Sequence, residues 1–492
     1  MTTPLPILDL ATESGRSEFE ARLARLRGTT SLAGDTAMVV AEIVEDVRTR
    51  GDAAIVDWMR KFADRGFEAS QIRVAEADFE AADASLDPAL RKSLEASIAN
   101  VRSYQEHILP PAVAPVTIQG AELGLRYSPV ESAGLAVPGG SAVLFSSVIM
   151  LAVPAIAAGV DPKKISIVHP PPTRVDGQDD APGDISPVVL AACRMLGVDS
   201  VYRIGGAQAV AALAYGSETV EPVDLIAGPG NVYVQLAKQM VAGVVGTDGG
   251  FYGPSEIVTV ADETADPACV ASDLIAQAEH DPGKCFLVSW SADVVRAIVD
   301  DVARQLRERG RSAIIERALE DDSAAVVVAD EDEAVAVADR VAAEHVNLAV
   351  ADPEGLLARL RNGGEFFLGD QSPVATGDYF AGPSHCLPTG TTARFASGVS
   401  AHTFLKRSGT VYYRDGMPAN VIEDVARLAE AEGLDAHAES ARVRGRAAKR
   451  GKSTGGIRPE EECTTSGSPP TTWRRRSTST RTCWGSRPGS AR

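Results

Sequence analysis

Apolar residues fall into two spacings along this chain. Runs of strand length that are apolar almost throughout occupy 165–168, 201–204, 224–227, 256–260, 285–288, 324–328, 347–350 and 366–368, and they predict strands buried on both faces. Between them, 292–309 and 332–343 carry apolar side chains at helical period. Strands alternating with helices predict an α/β fold whose parallel sheets are covered on both faces. The N-terminal third reads as helical, and buried strands stop near residue 399. Residues 419–431 predict a helix that opens just after Pro418. From Ala441 onward there is no apolar period, and Arg, Ser, Thr, Pro and Gly dominate. That segment reads as a disordered basic tail or as the product of a shifted reading frame.

Composition narrows the class. A length of 492 residues predicts about three domains. With 45% apolar and 5% aromatic residues, the cores are expected to be rich in Ala, Val, Leu and Ile. The six cysteines, Cys193, Cys269, Cys285, Cys386, Cys463 and Cys483, form no Cys-x-x-Cys pair, which predicts a reducing compartment and excludes an ordinary thiolate zinc site. Residues 441–492 hold 13 Lys and Arg against 3 Asp and Glu, while the first 440 hold 35 against 64, a net −29. So acidic a body repels phosphate backbones, and no nucleic-acid partner is expected. The N-terminus lacks the basic start and apolar run of a signal peptide. The most apolar stretch, 143–160, contains Pro154 and is short for a bilayer. A cytoplasmic location without a membrane partner is therefore expected.

Chemistry concentrates around a few of the seven histidines. Gln277-Ala-Glu-His280, Glu344-His345 and Glu432 to His437 pair imidazoles with carboxylates or a carboxamide, and Asp378 lies in a Gly-rich loop. Such a mixed nitrogen and oxygen set suits a borderline divalent ion such as Zn²⁺. Gln277 and His280 end a helical pattern and can face one point. The alternative is that these are separate surface or core groups. Three Gly-rich turns adjoin strands: Val137-Pro-Gly-Gly-Ser141, Ile204-Gly-Gly-Ala-Gln208 and Ala227-Gly-Pro-Gly-Asn231. The last two open helices, where backbone N–H groups favour a pyrophosphate, although no Gly-x-Gly-x-x-Gly fingerprint follows any strand.

The ordered set VPGGSA, GGAQAVAALAYG, IAGPGNVYV, YGPSEI, DLIAQAEHD, AEHVNL, FLGDQSPVATGDY, GPSHCLPT, ARFASG and FLKR resembles histidinol dehydrogenases from Leu5 to His437. The resemblance implies NAD-dependent oxidation of L-histidinol through L-histidinal to L-histidine, the last steps of histidine biosynthesis. It implies one Zn²⁺ per subunit and a domain-exchanged homodimer with two incomplete Rossmann-like domains plus small helical terminal modules. The implied division is an N-terminal helical segment 1–33, a first domain of 34–125 and 255–398, an NAD domain 126–254, a C-terminal module 399–440 reaching the partner, and a tail 441–492. By resemblance, Gln277, His280, Asp378 and His437 are zinc ligands, with His437 supplied to the neighbouring subunit. Ser255 and Glu432 match histidinol contacts, as do the ligands and His345. Glu344 and His345 match the general bases, and Gln208 and Asn231 match cofactor contacts. One departure stands out. Ala136 occupies a place where the family often carries an aromatic against the cofactor, and a methyl group cannot stack.

The chemistry accounts for these residue types. Histidinol offers an imidazole nitrogen and an amine, both good ligands for a borderline cation, so the metal is read mainly as a template. Alcohol oxidation needs a base for the hydroxyl proton, a role that suits His345. Aldehyde oxidation needs an activated water, a role that suits Glu344. His385-Cys386 raises a thiol nucleophile for the aldehyde step, which the resemblance does not require, so Cys386 is read as inert. His107, His169 and His402 read as surface or core groups. Two rival readings are a zinc hydrolase that turns over without NAD⁺ and a noncatalytic nucleotide-binding paralogue.

Overall fold

The computed structural model describes residues 5–28, 34–139, 144–171, 185–280, 283–310 and 312–452. It divides into a body, Met1–Pro115 with Gly124–Thr410, and a smaller unit, Val116–Leu123 with Val411–Arg492.

The body holds two parallel sheets. The first has six strands in the order Ile7–Asp9, Ala324–Val327, Lys284–Ser289, Glu256–Ala261, His345–Ala349, Glu365–Leu368. Successive side chains along its central strands enter different cores. Ile257, Cys285 and Leu287 join the helices Pro267–Ala278 and Ala292–Leu306. Val258, Phe286 and Val288 join Glu13–Gly28 and Glu331–Val341. Burial on both faces is why these strands read as unbroken apolar runs instead of alternating ones.

The second sheet has five strands in the order Ser200–Tyr202, Ile165–Val168, Ala133–Ala136, Leu225–Ala227, Gly246–Thr247, all parallel. Its central strand, Ala-Gly-Leu-Ala, escaped the sequence reading because alanine and glycine have poor strand preference. Gly134 has a packing reason: a Cβ there would come within 3.0 Å of Leu213 and Val223, so the glycine lets the helix Gly206–Tyr215 lie close.

Several expectations need correction. The N-terminal segment is not wholly helical, since Ile7–Asp9 forms the edge strand of the first sheet. Residues 34–125 do not pack as expected. The helices Asp35–Arg50 and Asp52–Phe62 share a core with Tyr202, Ile226 and Val234, and Pro88–His107 shares one with Leu135 and Val148. They cover the second sheet. Amphipathic helices need an apolar partner, and their pattern does not say which sheet supplies it.

In the smaller unit, Gln119 and Gly120 both have positive φ, 52° and 80°, which forms the tight turn of a hairpin that pairs Ile118 with Ala121. The strand Leu405–Tyr412, whose residues through Thr410 belong to the body, is exposed along most of its length, consistent with the end of buried strands near residue 399. The predicted helix appears as Ala419–Ala431. A further helix, Asp435–Lys452, carries structure past the expected start of the tail at Ala441. Alanine contacts among Ala426, Ala429 and Ala438 hold the pair, too small a pattern to stand out in sequence. Residues 453–492, with Arg474-Arg475-Arg476, lie outside the described residues.

Candidate active site

Parallel pairing brings the amino ends of four strands of the first sheet together, and that edge is where the titratable groups gather. Lys284 is paired with Glu256, and His345 with both Ile257 and Glu365. Ser255 and Glu344 immediately precede their strands. Ligands in open α/β sheets usually bind at carboxyl ends, so this cluster lies at the opposite edge.

A buried hydrogen-bond chain organises it. Gln277, 2% exposed at the end of the helix Pro267–Ala278, donates through Nε2 to Ser255 Oγ, and Ser255 donates to Glu344 Oε1. The backbone N–H of Glu256 also donates to Glu344 Oε1, at 2.8 Å. His345 Nδ1 faces the Glu256 carbonyl at 3.3 Å, with Glu344 Oε1 at 3.5 Å. Facing a carbonyl, Nδ1 must carry the proton if a hydrogen bond is made, and His345 Nε2 is left buried without a partner among the described residues. The Phe367 ring lies beside the imidazole, 5.9 Å between centroids.

Burial dominates the protonation equilibria. It pushes the Glu344 carboxyl well above the usual carboxylate range, against the opposing effect of the Ser255 and Glu256 hydrogen bonds. It lowers His345 to about 4, opposed by the charge of Asp378. Glu365 is pushed up to about 7 by burial and by Asp378, and its Oε2 has no partner among the described residues. Glu256 is pushed up to about 7 by burial, with Lys284 Nζ 3.9 Å away in partial opposition.

His385, which the sequence singles out only as the neighbour of Cys386, belongs to this cluster. Its Nδ1 lies 3.0 Å from the Asp378 carbonyl and 3.7 Å from Asp378 Oδ1, while Nε2 lies 3.1 Å from Ser147 Oγ. Asp378 stands seven residues before it, more than one helical turn away, and Ser147 reaches it from a distant segment, so the fold places it in the site. Its neighbour Cys386 is fully buried, and burial pushes its thiol up, away from nucleophilic reactivity. His280 is exposed and lies close enough for its charge to act on both His345 and His385.

At the second sheet, the two directions of chain progression diverge between Ala133–Ala136 and Leu225–Ala227. That is the switch point, beyond whose carboxyl ends open α/β sheets generally bind their ligands. The turn 228–230 follows Leu225–Ala227, and Gly228 has φ 119°, so close to the neighbouring strand that a Cβ would meet the Ala136 carbonyl oxygen at 2.3 Å. Asn231 caps the helix Val232–Val241, accepting from Tyr233 N–H at 3.1 Å and Val234 N–H at 3.2 Å. Gln208 is 4% exposed and turns its amide to Met59 Sδ. Ala136 is 6% exposed at the end of its strand.

A family model described as Histidinol dehydrogenase matches residues 27–445. The chain belongs to the histidinol dehydrogenase family. The histidinol dehydrogenase of Cereibacter sphaeroides is 43% identical over 434 residues, 88% of this chain and 97% of that relative. That of Rhodospirillum rubrum is 42% identical over 444 residues, covering 89% and 99%. A crystal structure of histidinol dehydrogenase from Elizabethkingia anophelis superposes with a TM-score of 0.82 at 30% identity, covering 91% of this chain and all of that one.

Of the positions singled out by family resemblance, the body therefore gathers Ser255, Gln277, Glu344, His345 and Asp378 at one edge, with His280 in electrostatic reach. Glu432 and His437 belong to the smaller unit, where both are exposed; Glu432 ends the helix Ala419–Ala431 and His437 lies in the first turn of Asp435–Lys452. Among the described residues, no three His, Cys, Asp or Glu side chains cluster as metal ligands. The implied donor set offers only His280 and Asp378 of those types within the body.

Proposed function

We propose that this protein oxidises L-histidinol through L-histidinal to L-histidine with NAD⁺ as hydride acceptor. The observation that carries the reading is the buried chain from Gln277 through Ser255 to Glu344, beside His345, in a member of the histidinol dehydrogenase family.

A zinc ion fits the edge of the first sheet. Burial first, and the charge of Asp378 after it, raise the proton affinity of Glu344, Glu365 and Tyr379, and a cation beside Asp378 would relieve the second of these effects. Gln277 commits its Nε2 to Ser255, which leaves its carbonyl oxygen for a cation beside the imidazole of His280 and the carboxylate of Asp378. His437 supplies the fourth donor, from the neighbouring subunit of a homodimer that also contributes Glu432 to the substrate. The crevice at the switch point of the second, Rossmann-like sheet takes NAD, against the 228–230 turn, Asn231 and Gln208. When bound, the metal supplies an anchor for the substrate amine and imidazole, and the nicotinamide supplies a hydride acceptor.

The protein's own groups then divide the proton work. His345 is held neutral by burial, and its Nε2 lone pair receives the hydroxyl proton as the alcohol is oxidised. Its Nδ1–H, held towards the Glu256 carbonyl, fixes the tautomer. Glu344, with raised proton affinity, takes a proton from the water that adds to the aldehyde. Ser255 orients Glu344 and closes the substrate side of the site. Among the described residues no helix is long and apolar enough to cross a membrane, which suits the cytoplasmic setting expected for this chemistry.

The test is NADH absorbance with L-histidinol, with and without a chelator. Two NADH per histidinol are expected, because a primary alcohol loses two hydrides to become an acid, and chelation should abolish turnover until Zn²⁺ is restored. One NADH per histidinol with histidinal accumulating would overturn the assignment of both bases. Turnover of a substrate without NAD⁺ would favour a zinc hydrolase, and nucleotide binding without any turnover a noncatalytic paralogue.

A further inference from the structure

The helix Val232–Val241 buries a lysine. Lys238 is 2% exposed, with Nζ 2.6 Å from Asp248 Oδ1 and 2.7 Å from Oδ2. The two side chains are 3% and 0% exposed. Dehydrating two charges offsets much of their attraction, so a buried pair is a weak device for stability alone. This pair holds a turn. Lys238 Nζ donates to the Gly228 carbonyl at 2.9 Å, and the Gly228 N–H donates to Asp248 Oδ2 at 2.8 Å. Both polar groups of Gly228 are thus claimed by the ion pair, at the switch point of the second sheet.

The same pair reaches the substrate side. Asp248 follows Gly246–Thr247, the last strand of the second sheet, and Glu256–Ala261 begins the chain's return to the first. In that crossing, Tyr252 lies beneath Lys238 with its ring centroid 4.8 Å from Nζ. The Tyr252 hydroxyl donates to the carbonyls of Asp248 and Ser397, each at 2.9 Å. The Tyr252 N–H donates to Gln235 Oε1 at 3.0 Å, and its carbonyl accepts from Gly230 N–H at 3.0 Å. Three residues on is Ser255, which touches Gln277 and Glu344.

We propose that Lys238 and Asp248 are positioning residues that lock the 228–230 turn to the 252–255 segment and thereby set the spacing between cofactor and substrate. This rests on the reading of the turn and Asn231 as cofactor contacts. Neither side chain touches a reactant. The lock acts through Gly228 on one side and through Tyr252 on the other, so its loss displaces two binding sites relative to each other while leaving each assembled.

The test is a charge-balanced double variant, Lys238→Met with Asp248→Asn, studied as zinc-loaded full-length enzyme. Melting, metal content and the KM for histidinol are expected to stay close to wild type. The KM for NAD⁺ should rise about tenfold, and single-turnover hydride transfer should slow by about tenfold or more, as misplacement of reacting partners does. A folded double variant with unchanged NAD⁺ KM and hydride-transfer rate would overturn the proposal, as would a loss of active enzyme in step with stability while the constants per site stay intact. If the double variant does not fold, Tyr252→Phe keeps the ring and drops both hydroxyl bonds. It should show the same split at about threefold, and no split would overturn the proposal equally. Asn231→Ala separates the two readings. An unchanged NAD⁺ KM there removes the cofactor reading and the proposal with it. A raised KM in Asn231→Ala with a silent ion pair removes the positioning role alone.

Discussion

Glu344 and His345 are neighbours in sequence, yet burial moves them in opposite directions, one towards holding its proton and the other towards releasing it. Divergent environments of this kind separate two bases into two roles. Glu344→Gln keeps an oxygen for Ser255 and the Glu256 N–H but removes the base. It should slow oxidation of histidinal by about 10²-fold or more, and that of histidinol much less, because only the second step needs added water. Equal losses in both half-reactions, followed separately by stopped-flow NADH absorbance, would contradict the division. Cys386→Ala should leave kcat near wild type, since the thiol is enclosed and its proton is held by burial. Loss of aldehyde oxidation in that variant would restore the thiol to the mechanism. At this scale the sequence showed the types of residue that matter. His385 and Glu256 took their places only through contacts with Ser147 and Glu344 from distant segments.

Strand and helix positions were legible wherever burial imposes a period. The runs at 165–168, 256–260 and 366–368 became strands, and 419–431 became a helix. The Ala133–Ala136 strand was not legible, because the small residues that let helices approach closely carry little apolar signal. Gly134→Val tests the packing reason. Its branched side chain meets Leu213 and Val223 inside a filled core, and overpacking of this kind costs about 1–3 kcal/mol. A clear fall in melting temperature is expected, whereas an unchanged melt would show that the helix Gly206–Tyr215 has room to shift. The N-terminal helices show the other limit. Their amphipathic faces are plain in sequence, but their choice of the second sheet over the first depends on where the chain returns.

Over the whole molecule, protonation and assembly offer two further tests. His169 is 4% exposed, donates from Nδ1 to the Pro170 carbonyl at 2.6 Å, and leaves Nε2 without a partner among the described residues. Burial lowers its pKa from the ordinary value of 6.5. The unfolded chain therefore takes up a proton that the folded chain refuses, so stability is full above that value and falls as pH drops below it. His169→Asn keeps a donor for Pro170 and should flatten the loss below about pH 6.5; parallel melting curves for variant and wild type would rule the residue out. Assembly is tested by refolding His280→Ala and His437→Ala chains together. If His437 completes the neighbouring subunit's site, half the dimers are mixed, and each mixed dimer has one intact site. About a quarter of all sites should then recover activity. No recovery, where wild-type chains refold and dimerise, would place all the ligands in one subunit.

The sequence by itself determined the α/β class, most of the buried strands, the acidic body and the residue types able to carry the chemistry. These follow from local period and composition, because each apolar run records how many of its faces are covered. Tertiary structure alone decided which runs became neighbours. Glu344 meets Ser255 across 89 residues, and Ser147 meets His385 across 238. Those contacts come from the order and register of parallel strands and from the return of the chain to the first sheet at Glu256. Two segments with the same apolar pattern can occupy different places in a sheet, so periodicity places a residue on a strand and leaves its partner across the site to the fold.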